Sequence, residues 1–370
     1  MTNVVCEPSK SVAALAEKIR RDLQDLAPAT HEPLPSYREF GRRYQVGMNT
    51  VQSAMAELEK EGILLRMPRR GTFYRPKPVE PAAAGARKVR CVSLIMEKPL
   101  RERVFQVARE EYLAGYSEAI EQRHAVMRIV LLQGNTRFED ALSKNFAVEE
   151  QGCVLVWMYH EKLMAWLTER RVPFVVHGSR PVPVPGALPC HRVLVNKANG
   201  CFEATRRLIA EGHKQIGYVG VPHNDLGTIY SGFFAAMTTA GLSLNPEFLM
   251  ECSTDDLEEA RRPMAEYLRR PRLPTAIMAQ NDAMALALLE EARVLGIRVP
   301  EDLSMVGFNG LPETETSDPP LTTVRQPRRS HAQAAIQLLT EAAEGLHTDF
   351  QTRLLECSLV VRRSTAPPSR

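Results

Sequence analysis

The sequence lacks the features that identify membrane proteins and disulfide-rich secreted proteins. No stretch reaches the roughly 18 consecutive apolar residues of a membrane-spanning helix, and the first ten residues, MTNVVCEPSK, lack the apolar core of a signal peptide. The seven cysteines are scattered and never form a CxxC pair, so a disulfide framework is not indicated. We therefore expect a cytoplasmic protein whose cysteines are small, buried or half-buried residues.

Catalytic signatures are absent as well. The sequence contains no G-x-G-x-x-G after a predicted strand, no P-loop, no G-x-S-x-G and no H-E-x-x-H. The nine histidines are dispersed, and the one adjacent Cys/His pair, Cys190–His191, is interpreted as loop residues and not as a metal site. The sequence predicts no enzymatic activity, no metal and no cofactor.

The composition is that of a globular protein with more than one domain. The chain has 370 residues, of which 44% are hydrophobic and 25% are charged, and this length favours two or three domains. The net charge is only +3, but residues 1–80 carry 13 Lys+Arg against 10 Asp+Glu, so the whole excess lies in the N-terminal fifth. This asymmetry is a weak indication of nucleic-acid binding in that segment.

Residues 11–74 have the pattern of three short helices followed by a β-hairpin. Apolar spacing predicts a helix over residues 11–26 with Ser11 as its N-cap. Ser36 and Glu39 have the spacing of a capping box for a second helix, over about 37–44. A third helix begins at residue 48 or 49 and ends before Gly62. Its predicted core face is Val51, Ala54, Met55 and Leu58. Two short strands, 63–66 and 72–74, flank a basic tip.

This layout suits DNA, because a helix fits the major groove with its first turn near the base edges. The third helix offers amides and hydroxyls there, and the hairpin tip offers two arginines for phosphate or the minor groove. The candidate DNA-binding residues are Ser36, Arg38, Asn49, Thr50, Gln52, Ser53, Arg69, Arg70, Gly71 and Thr72. The alternative is a small helical domain with solvated arginines.

The motifs LPSYREF and VGMNTVQSAMAELEKEGILLRMPRRGTF closely resemble the GntR-type winged helix–turn–helix. The resemblance implies DNA contacts from Arg38, from the start of the third helix and from the wing at Arg70-Gly71. The chain departs from the family at Gly47, where Ser or Thr is usual, and at Met48 and Gln52, where Arg is usual. We expect an operator unlike the family's common one.

After a Pro- and Ala-rich linker at residues 76–88, strand-like and helical segments alternate. Such alternation predicts an α/β fold with parallel sheets covered on both faces, here as two Rossmann-like lobes with a cleft at the strand ends. The predicted strands lie near residues 89–96, 126–132, 153–158, 174–177, 193–196, 215–221, 248–252, 276–280 and 303–308.

Four segments resemble LacI/GalR regulators and periplasmic sugar-binding proteins. They lie at residues 199–220, 274–310, 319–327 and 359–364. The resemblance implies a hinged, periplasmic-binding-protein-like domain over 89–370 that dimerises and closes on a small effector. Lobe 1 would span about 89–192 and 324–351, and lobe 2 about 193–323 and 352–370, with crossings near 190–196, 321–326 and 350–354. A GntR-type head on such a body is similar to arabinose-repressor-type proteins.

The predicted cleft residues depart from the LacI/GalR pattern more than the overall architecture does. The candidate effector-binding residues are His177, Ile229, Asn281, Asp282 and Asn309. The resemblance implies that Asn281 hydrogen-bonds a ligand, while Asp282 binds it or caps the next helix. Ile229 stands where the family has an arginine and Asn309 where it has an aspartate, and Asn196-Lys197 replaces an Asp-Asn pair. A neutral or amide-lined pocket is therefore expected.

These observations predict a regulator, most simply a repressor, with a winged helix–turn–helix domain over residues 1–75. It would bind operator DNA as a homodimer under the control of a small metabolite, a sugar or a derivative. The alternatives are a DNA-binding regulator without an effector, a solute-binding receptor and an enzyme with an aminotransferase-like body. A receptor is disfavoured by the N-terminal domain, and an enzyme by the absence of a catalytic lysine context.

Overall fold

The fold is taken from a computed structural model that describes residues 9–26, 34–67, 71–74, 89–97, 103–132, 151–156, 160–178, 189–222, 228–252 and 257–369. The described helices are α1 (Ser9–Leu26), α2 (Tyr37–Tyr44), α3 (Met48–Lys60), α4 (Arg103–Glu121), α5 (Glu161–Glu169), α6 (Lys197–Ala210), α7 (Ile229–Thr239), α8 (Leu257–Leu268), α9 (Asp282–Val294), α10 (Glu313–Thr316) and α11 (Arg328–Ala343). The strands are β1 (Leu64–Met67), β2 (Gly71–Tyr74), β3 (Cys91–Glu97), β4 (Val126–Leu132), β5 (Gln151–Val156), β6 (Phe174–Gly178), β7 (His191–Asn196), β8 (Ile216–Gly220), β9 (Leu249–Glu251), β10 (Ala276–Ala279), β11 (Ser304–Asn309), β12 (Thr322–Arg325), β13 (Thr352–Glu356) and β14 (Ser358–Val360).

The N-terminal domain consists of α1 to α3 and the antiparallel hairpin β1–β2. The second and third helices begin where the capping patterns predict them. The first helix begins at Ser9, so Ser11 lies inside it and the prediction of Ser11 as N-cap was wrong. Apolar residues of all three helices and of the hairpin form one cluster around Ile19, Phe40 and Leu58. The predicted core face of α3 is confirmed, because its four residues are all buried.

In the part of the chain that the structure describes, two six-stranded sheets follow the linker. The first has the order β13-β7-β6-β5-β3-β4 and is parallel throughout. The second has the order β14-β12-β11-β10-β8-β9 and is parallel except for β14. The predicted α/β class and the division into two lobes are confirmed.

Helices cover both faces of each sheet, because alternate side chains of a strand point to opposite faces. In the first sheet, Leu94 packs with α4 and α11, whereas the next residue, Ile95, packs with α5. In the second sheet, Ile277 packs with α8 and α9, whereas Met278 packs with α6 and α7. Strands that are buried on both faces appear in the sequence as continuous runs of apolar residues.

Within the described residues, the chain crosses between the lobes three times. It leaves the first sheet after β7, returns between β12 and α11, and crosses again at Cys357 between β13 and β14. The predicted lobe boundaries at 192/193, 323/324 and 351/352 were therefore misplaced. Strand β12, over Thr322–Arg325, pairs with β11 and so belongs to the second sheet. Strand pairing puts all of β7 and β13 in the first sheet, since β7 and β13 pair with each other over Arg192–Asn196 and Thr352–Glu356.

Six of the seven cysteines lie in the described residues; five are buried and Cys357 is half-buried, as predicted. Within the described ranges, no helix is long and apolar enough to cross a membrane. The same residues include no group of three or more His, Cys, Asp or Glu arranged to hold a metal ion.

Glu341 fastens the end of α11 to the edge strand of the first sheet. Its carboxylate accepts hydrogen bonds from Arg353 of β13 and, at 2.8 Å, from His347 Nε2. Burial raises the pKa of this carboxyl, but the hydrogen bonds outweigh it and bring the pKa to about 2. Because this lies below the ordinary value of 4.5, the ionised carboxylate stabilises the fold at neutral pH, and the stabilisation is lost as the pH falls toward 2.

Replacing Glu341 with glutamine is expected to lower the free energy of unfolding by roughly 2 kcal/mol at pH 7, because a neutral amide forms no ion pair with Arg353. The difference from wild type should shrink as the pH falls from about 5 toward about 3. Urea unfolding followed by tryptophan fluorescence measures it, since Trp157 and Trp166 both lie between β5 and β6 in the sequence. The exposed Glu344, which is the C-cap residue of the same helix, supplies the control variant Glu344→Gln. Equal losses from both variants, or a loss that does not change with pH, would contradict the expectation.

Candidate functional site

The start of α2 is held by the predicted capping box. Ser36 Oγ accepts a hydrogen bond from Glu39 N at 3.4 Å, and Glu39 Oε2 accepts one from Ser36 N at 2.7 Å. The Glu39 carboxylate also accepts a hydrogen bond from Ser36 Oγ at 2.7 Å, and this bond, together with the one from Ser36 N, lowers the pKa of Glu39. Phe40 anchors the helix in the core, and Arg38 is exposed. The local sequence therefore fixes the orientation of α2 and presents Arg38 to solvent.

The third helix presents the predicted polar face. Asn49, Gln52 and Ser53 are exposed, and Thr50 is half-buried. The opposite face is buried in the domain, so these four side chains face away from the core near the N-terminus of α3. Gly47 occupies the N-cap position and makes no side-chain capping bond. This is the geometry that a groove-reading helix requires.

The hairpin is shaped partly as predicted. Gly71 is exposed and has φ +114°, a conformation that favours glycine. Thr72 is only 9% exposed, and its carbonyl accepts from Leu34 N at 2.7 Å. The predicted DNA contact by the Thr72 side chain is therefore not supported, because every residue of β2 after Gly71 is buried. Arg69 and Arg70 lie outside the described residues.

Three of the predicted effector residues lie at one edge of the second sheet. Ile229 begins the helix after β8, Asn281 follows β10 and Asn309 ends β11. These strands are neighbours and parallel, so their carboxyl ends meet at the same edge, where ligands bind in open α/β sheets. Ile229 is half-buried against an apolar cluster that includes Phe233. Its position adds no charge to this edge.

The roles of the adjacent Asn281 and Asp282 differ from those predicted. Asn281 Oδ1 accepts from Met284 N at 2.8 Å, so the N-cap of α9 is Asn281 and not Asp282. Asp282 is completely buried. Its Oδ1 accepts from Thr323 Oγ1 at 2.5 Å and its Oδ2 from Leu311 N at 2.7 Å. Burial raises the pKa of Asp282, and these hydrogen bonds oppose the rise. The carboxylate thus joins α9 to the segments that follow β11 and form β12, with no surface exposed to an effector.

Asn309 lies where the two lobes are connected. It has φ +121°, and its Oδ1 accepts from Gln326 Nε2 at 2.6 Å. Its carbonyl accepts from Arg328 Nη2 at 2.6 Å, and Arg328 Nη1 lies 3.3 Å from Glu111 Oε1. Asn309 belongs to the second sheet, whereas Arg328 and Glu111 lie on helices that cover the first, so this set connects the lobes. Arg328 was not among the predicted site residues, and its one signal in the sequence is its position directly after a segment that crosses between the lobes.

His177 is also placed differently from the prediction. Its ring is completely buried, with Nδ1 hydrogen-bonded to Tyr116 Oη and Nε2 lying 2.7 Å from His331 Nδ1. His331 Nε2 is 2.9 Å from the Val193 carbonyl. Burial, together with the neighbouring ring of His331, lowers the pKa of His177, and burial lowers that of His331 to about 4. Both rings are therefore neutral and lie in the interior of the first lobe, with the side chain of His177 completely buried.

Hydrogen bonds connect the segment that leaves the first lobe after β7 to the segment that leaves it after β13. Asn196 caps α6 by accepting from Asn199 N at 3.2 Å. The side-chain amides of Asn196 and Asn199 both donate to Glu356, at 2.9 and 2.8 Å. Burial lowers the pKa of the neighbouring Lys197. The segment in which Asn196-Lys197 departs from the family pattern therefore serves the connection between the lobes.

Two segments of the chain match known protein families. Residues 12–73 match the gntR family of bacterial regulatory proteins, and residues 205–365 match a periplasmic binding protein-like domain. The first match contains α1 to α3 and the hairpin. The second contains the edge at which Ile229, Asn281 and Asn309 lie.

Curated relatives are transcriptional repressors. The HTH-type transcriptional repressor CytR of Escherichia coli K12 is 32% identical over 199 residues, which are 53% of this chain and 57% of CytR. The arabinose metabolism transcriptional repressor of Geobacillus stearothermophilus is 27% identical over 355 residues, covering 90% of this chain and 92% of that repressor. The chain thus spans about half the length of several curated relatives it matches, CytR among them, and nearly all of the arabinose repressor.

Solved structures share the fold. A complex of the transcriptional regulator CelR with cellobiose superposes with a TM-score of 0.61 at 22% identity, covering 90% of this chain and all of that one. The lac repressor dimer bound to operator and an anti-inducer gives a TM-score of 0.60 at 18% identity, covering 75% of this chain and 95% of that one. At these identities the likeness concerns the architecture of the chain.

Proposed function

We propose that this chain, which joins a DNA-binding domain of the gntR family of bacterial regulatory proteins to a periplasmic binding protein-like domain, is a cytoplasmic transcriptional repressor. It binds operator DNA as a homodimer, with α3 in the major groove and the hairpin against the backbone or minor groove. A small molecule in the cleft between the two sheets controls this binding. The chain acts by binding and not by catalysis.

The observation that carries the proposal is the exposed face of α3. Asn49, Gln52 and Ser53 project from the first turns of a helix whose other face is buried, and amide side chains of this kind suit the adenine edge in the major groove. Arg38 is exposed on the preceding helix and suits a phosphate. The repressors among the curated relatives support the same function.

The effector proposed is a carbohydrate or a derivative of one. Support comes from the arabinose metabolism repressor, with which the chain shares 27% identity over nearly its whole length. The edge of the second sheet offers Asn281 and Asn309, which are uncharged, and Ile229. This lining favours a neutral ligand. A ligand that prefers one arrangement of the lobes shifts the equilibrium between arrangements only by its difference in affinity for them.

Two experiments test the proposal. Full-length protein is used to select duplexes from a random DNA pool, and enrichment of one palindromic sequence is the expected result. Thermal shift is then measured with L-arabinose, ribose and cellobiose, and a shift of several degrees with one sugar is expected, followed by release from the selected duplex. No enrichment would overturn the DNA-binding function. Enrichment without a shift from any sugar would favour the alternative, a regulator without a carbohydrate effector.

The wing and the reading helix should contribute differently to binding. Replacing both Arg69 and Arg70 with alanine is expected to weaken binding roughly tenfold or more on all sequences alike and to reduce the salt dependence, because phosphate contacts carry no sequence information. Replacing Gln52 with alanine should instead change the preference among sequences. Fluorescence anisotropy with selected and scrambled duplexes at two salt concentrations separates these effects. The reverse pattern would show that the assignment of positioning and reading residues is wrong.

A further inference from the structure

One large apolar side chain on α3 is exposed without a role in the core. Met48 is 43% exposed, and among the side chains described between residues 12 and 74 it is the one large hydrophobic that is exposed. It is the first residue of α3, next to the N-cap Gly47. A β-carbon placed on Gly47 would meet no atom within 4 Å, so the space in front of this helix start is open.

The contact that apolar residues usually make at the start of a helix is made here by residues other than Met48. Val46, just before the N-cap, and Val51, on the first full turn, both belong to the apolar cluster of the domain. This is the spacing of a hydrophobic staple, which fixes the angle at which the chain enters the helix. Met48 is not part of that cluster. Its exposure is therefore not explained by the stability of the domain.

Met48 shares an exposed surface with a residue that has base-reading chemistry. Gln52 lies four residues further on, and side chains at this spacing are neighbours on a helix. Both extend from the part of α3 that approaches base edges when such a helix enters the major groove. An A·T pair displays there the adenine N6 and N7, which a glutamine contacts, and the thymine C5-methyl group, which takes apolar contact.

We infer that Met48 is a specificity-determining residue that reads a thymine methyl group beside the adenine contacted by Gln52, so that each operator half-site contains an A·T pair at this position. The inference rests on the proposed function. The thioether chain is unbranched and adapts its shape, so it can bury a methyl group without a fixed rotamer. Burial of one methyl group corresponds to about a fourfold gain in affinity per half-site.

The test removes the methyl group alone. In the duplex selected by the full-length protein, each thymine is replaced in turn by deoxyuridine, which keeps base pairing and both hydrogen-bonding edges. Affinity is measured by fluorescence anisotropy for wild type, Met48→Ala and the control Glu57→Ala, in which an exposed residue later on α3 is changed. Alanine at an exposed helical position preserves the fold, which circular dichroism checks.

Wild type and Glu57→Ala should lose about fourfold in affinity at one thymine per half-site, whereas Met48→Ala should bind the thymine and uracil duplexes equally at that position. Met48→Arg should change the preferred base pair at that position from A·T to G·C, because arginine hydrogen-bonds to the guanine O6 and N7. The inference is overturned if no thymine is sensitive in wild type, or if Met48→Ala keeps the sensitivity. Failure of the selection to enrich any sequence overturns the proposed function and this inference with it.

Discussion

Replacing Leu58 with alanine is expected to abolish specific DNA binding while the second domain stays folded. Leu58 is completely buried in the cluster formed by α1, α2, α3 and the hairpin. Truncating such a leucine costs about 2–5 kcal/mol, whereas a domain of about 65 residues has only roughly 3–10 kcal/mol of stability in total. The polar face of α3 then loses the packing that holds it, so the affinity for the selected duplex should fall by at least about a hundredfold.

Two readouts separate this effect from general unfolding. Anisotropy with the selected duplex measures the N-terminal domain, and tryptophan fluorescence during thermal unfolding reports the second domain, because both tryptophans follow residue 88 in the sequence. The neighbouring exposed Glu57 supplies the control variant Glu57→Ala, which should bind within about twofold of wild type. Binding by Leu58→Ala within a few-fold of wild type would contradict the assignment of the core. A fall in the tryptophan transition would show that the two domains do not fold independently.

The features that the sequence predicted well are those with a local cause. The start of α2 depends on Ser36 and Glu39, which are three residues apart, and the buried face of α3 depends on a spacing of three and four residues. The buried strands were recognisable because a short continuous apolar run, in a chain that alternates strands with helices, is typical of a strand covered on both faces. The strands that sequence reasoning missed were β12, β13 and β14. The last two are short strands at the edges of their sheets, and β13 alternates between exposed and half-buried residues.

The features that the sequence predicted poorly depend on contacts between residues that are far apart in the chain. Asp282 was assigned to the effector or to a helix cap because of its neighbours in sequence, but its two hydrogen-bond donors lie 41 and 29 residues away. His177 was placed at the cleft because it ends a strand, but Tyr116 and His331, on two different helices, enclose its ring. No spacing of residues in the sequence predicts either contact, since each depends on which helices cover which sheet.

Asp282→Ala is expected to destabilise the second lobe by about 3–5 kcal/mol, because it leaves the Leu311 N–H and the Thr323 hydroxyl without their acceptor in a buried site. The effect should reach the effector edge, since Leu311 follows Asn309 and Gly310 directly at the end of β11. The carboxylate is closely packed in wild type, because a β-carbon on Gly307 would overlap with Asp282 Oδ1. Asp282→Asn should be intermediate, since its amide accepts one of the two hydrogen bonds and opposes a donor at the other.

The matched control is Asn281→Ala at the adjacent position, which removes the cap on Met284 N and should cost only about 1 kcal/mol. Hydrogen exchange of the β11 and α9 amides, together with urea unfolding followed by circular dichroism, measures both variants. If Asp282 were a ligand contact, the opposite pattern would appear: Asp282→Ala would keep wild-type stability and lose only the thermal shift produced by the effector. The burial of Asp282 and its two hydrogen bonds indicate a structural role instead. In that case hydrogen exchange of the β11 amides should be faster in Asp282→Ala than in Asn281→Ala even without a ligand, because the segment after Asn309 loses its attachment to α9.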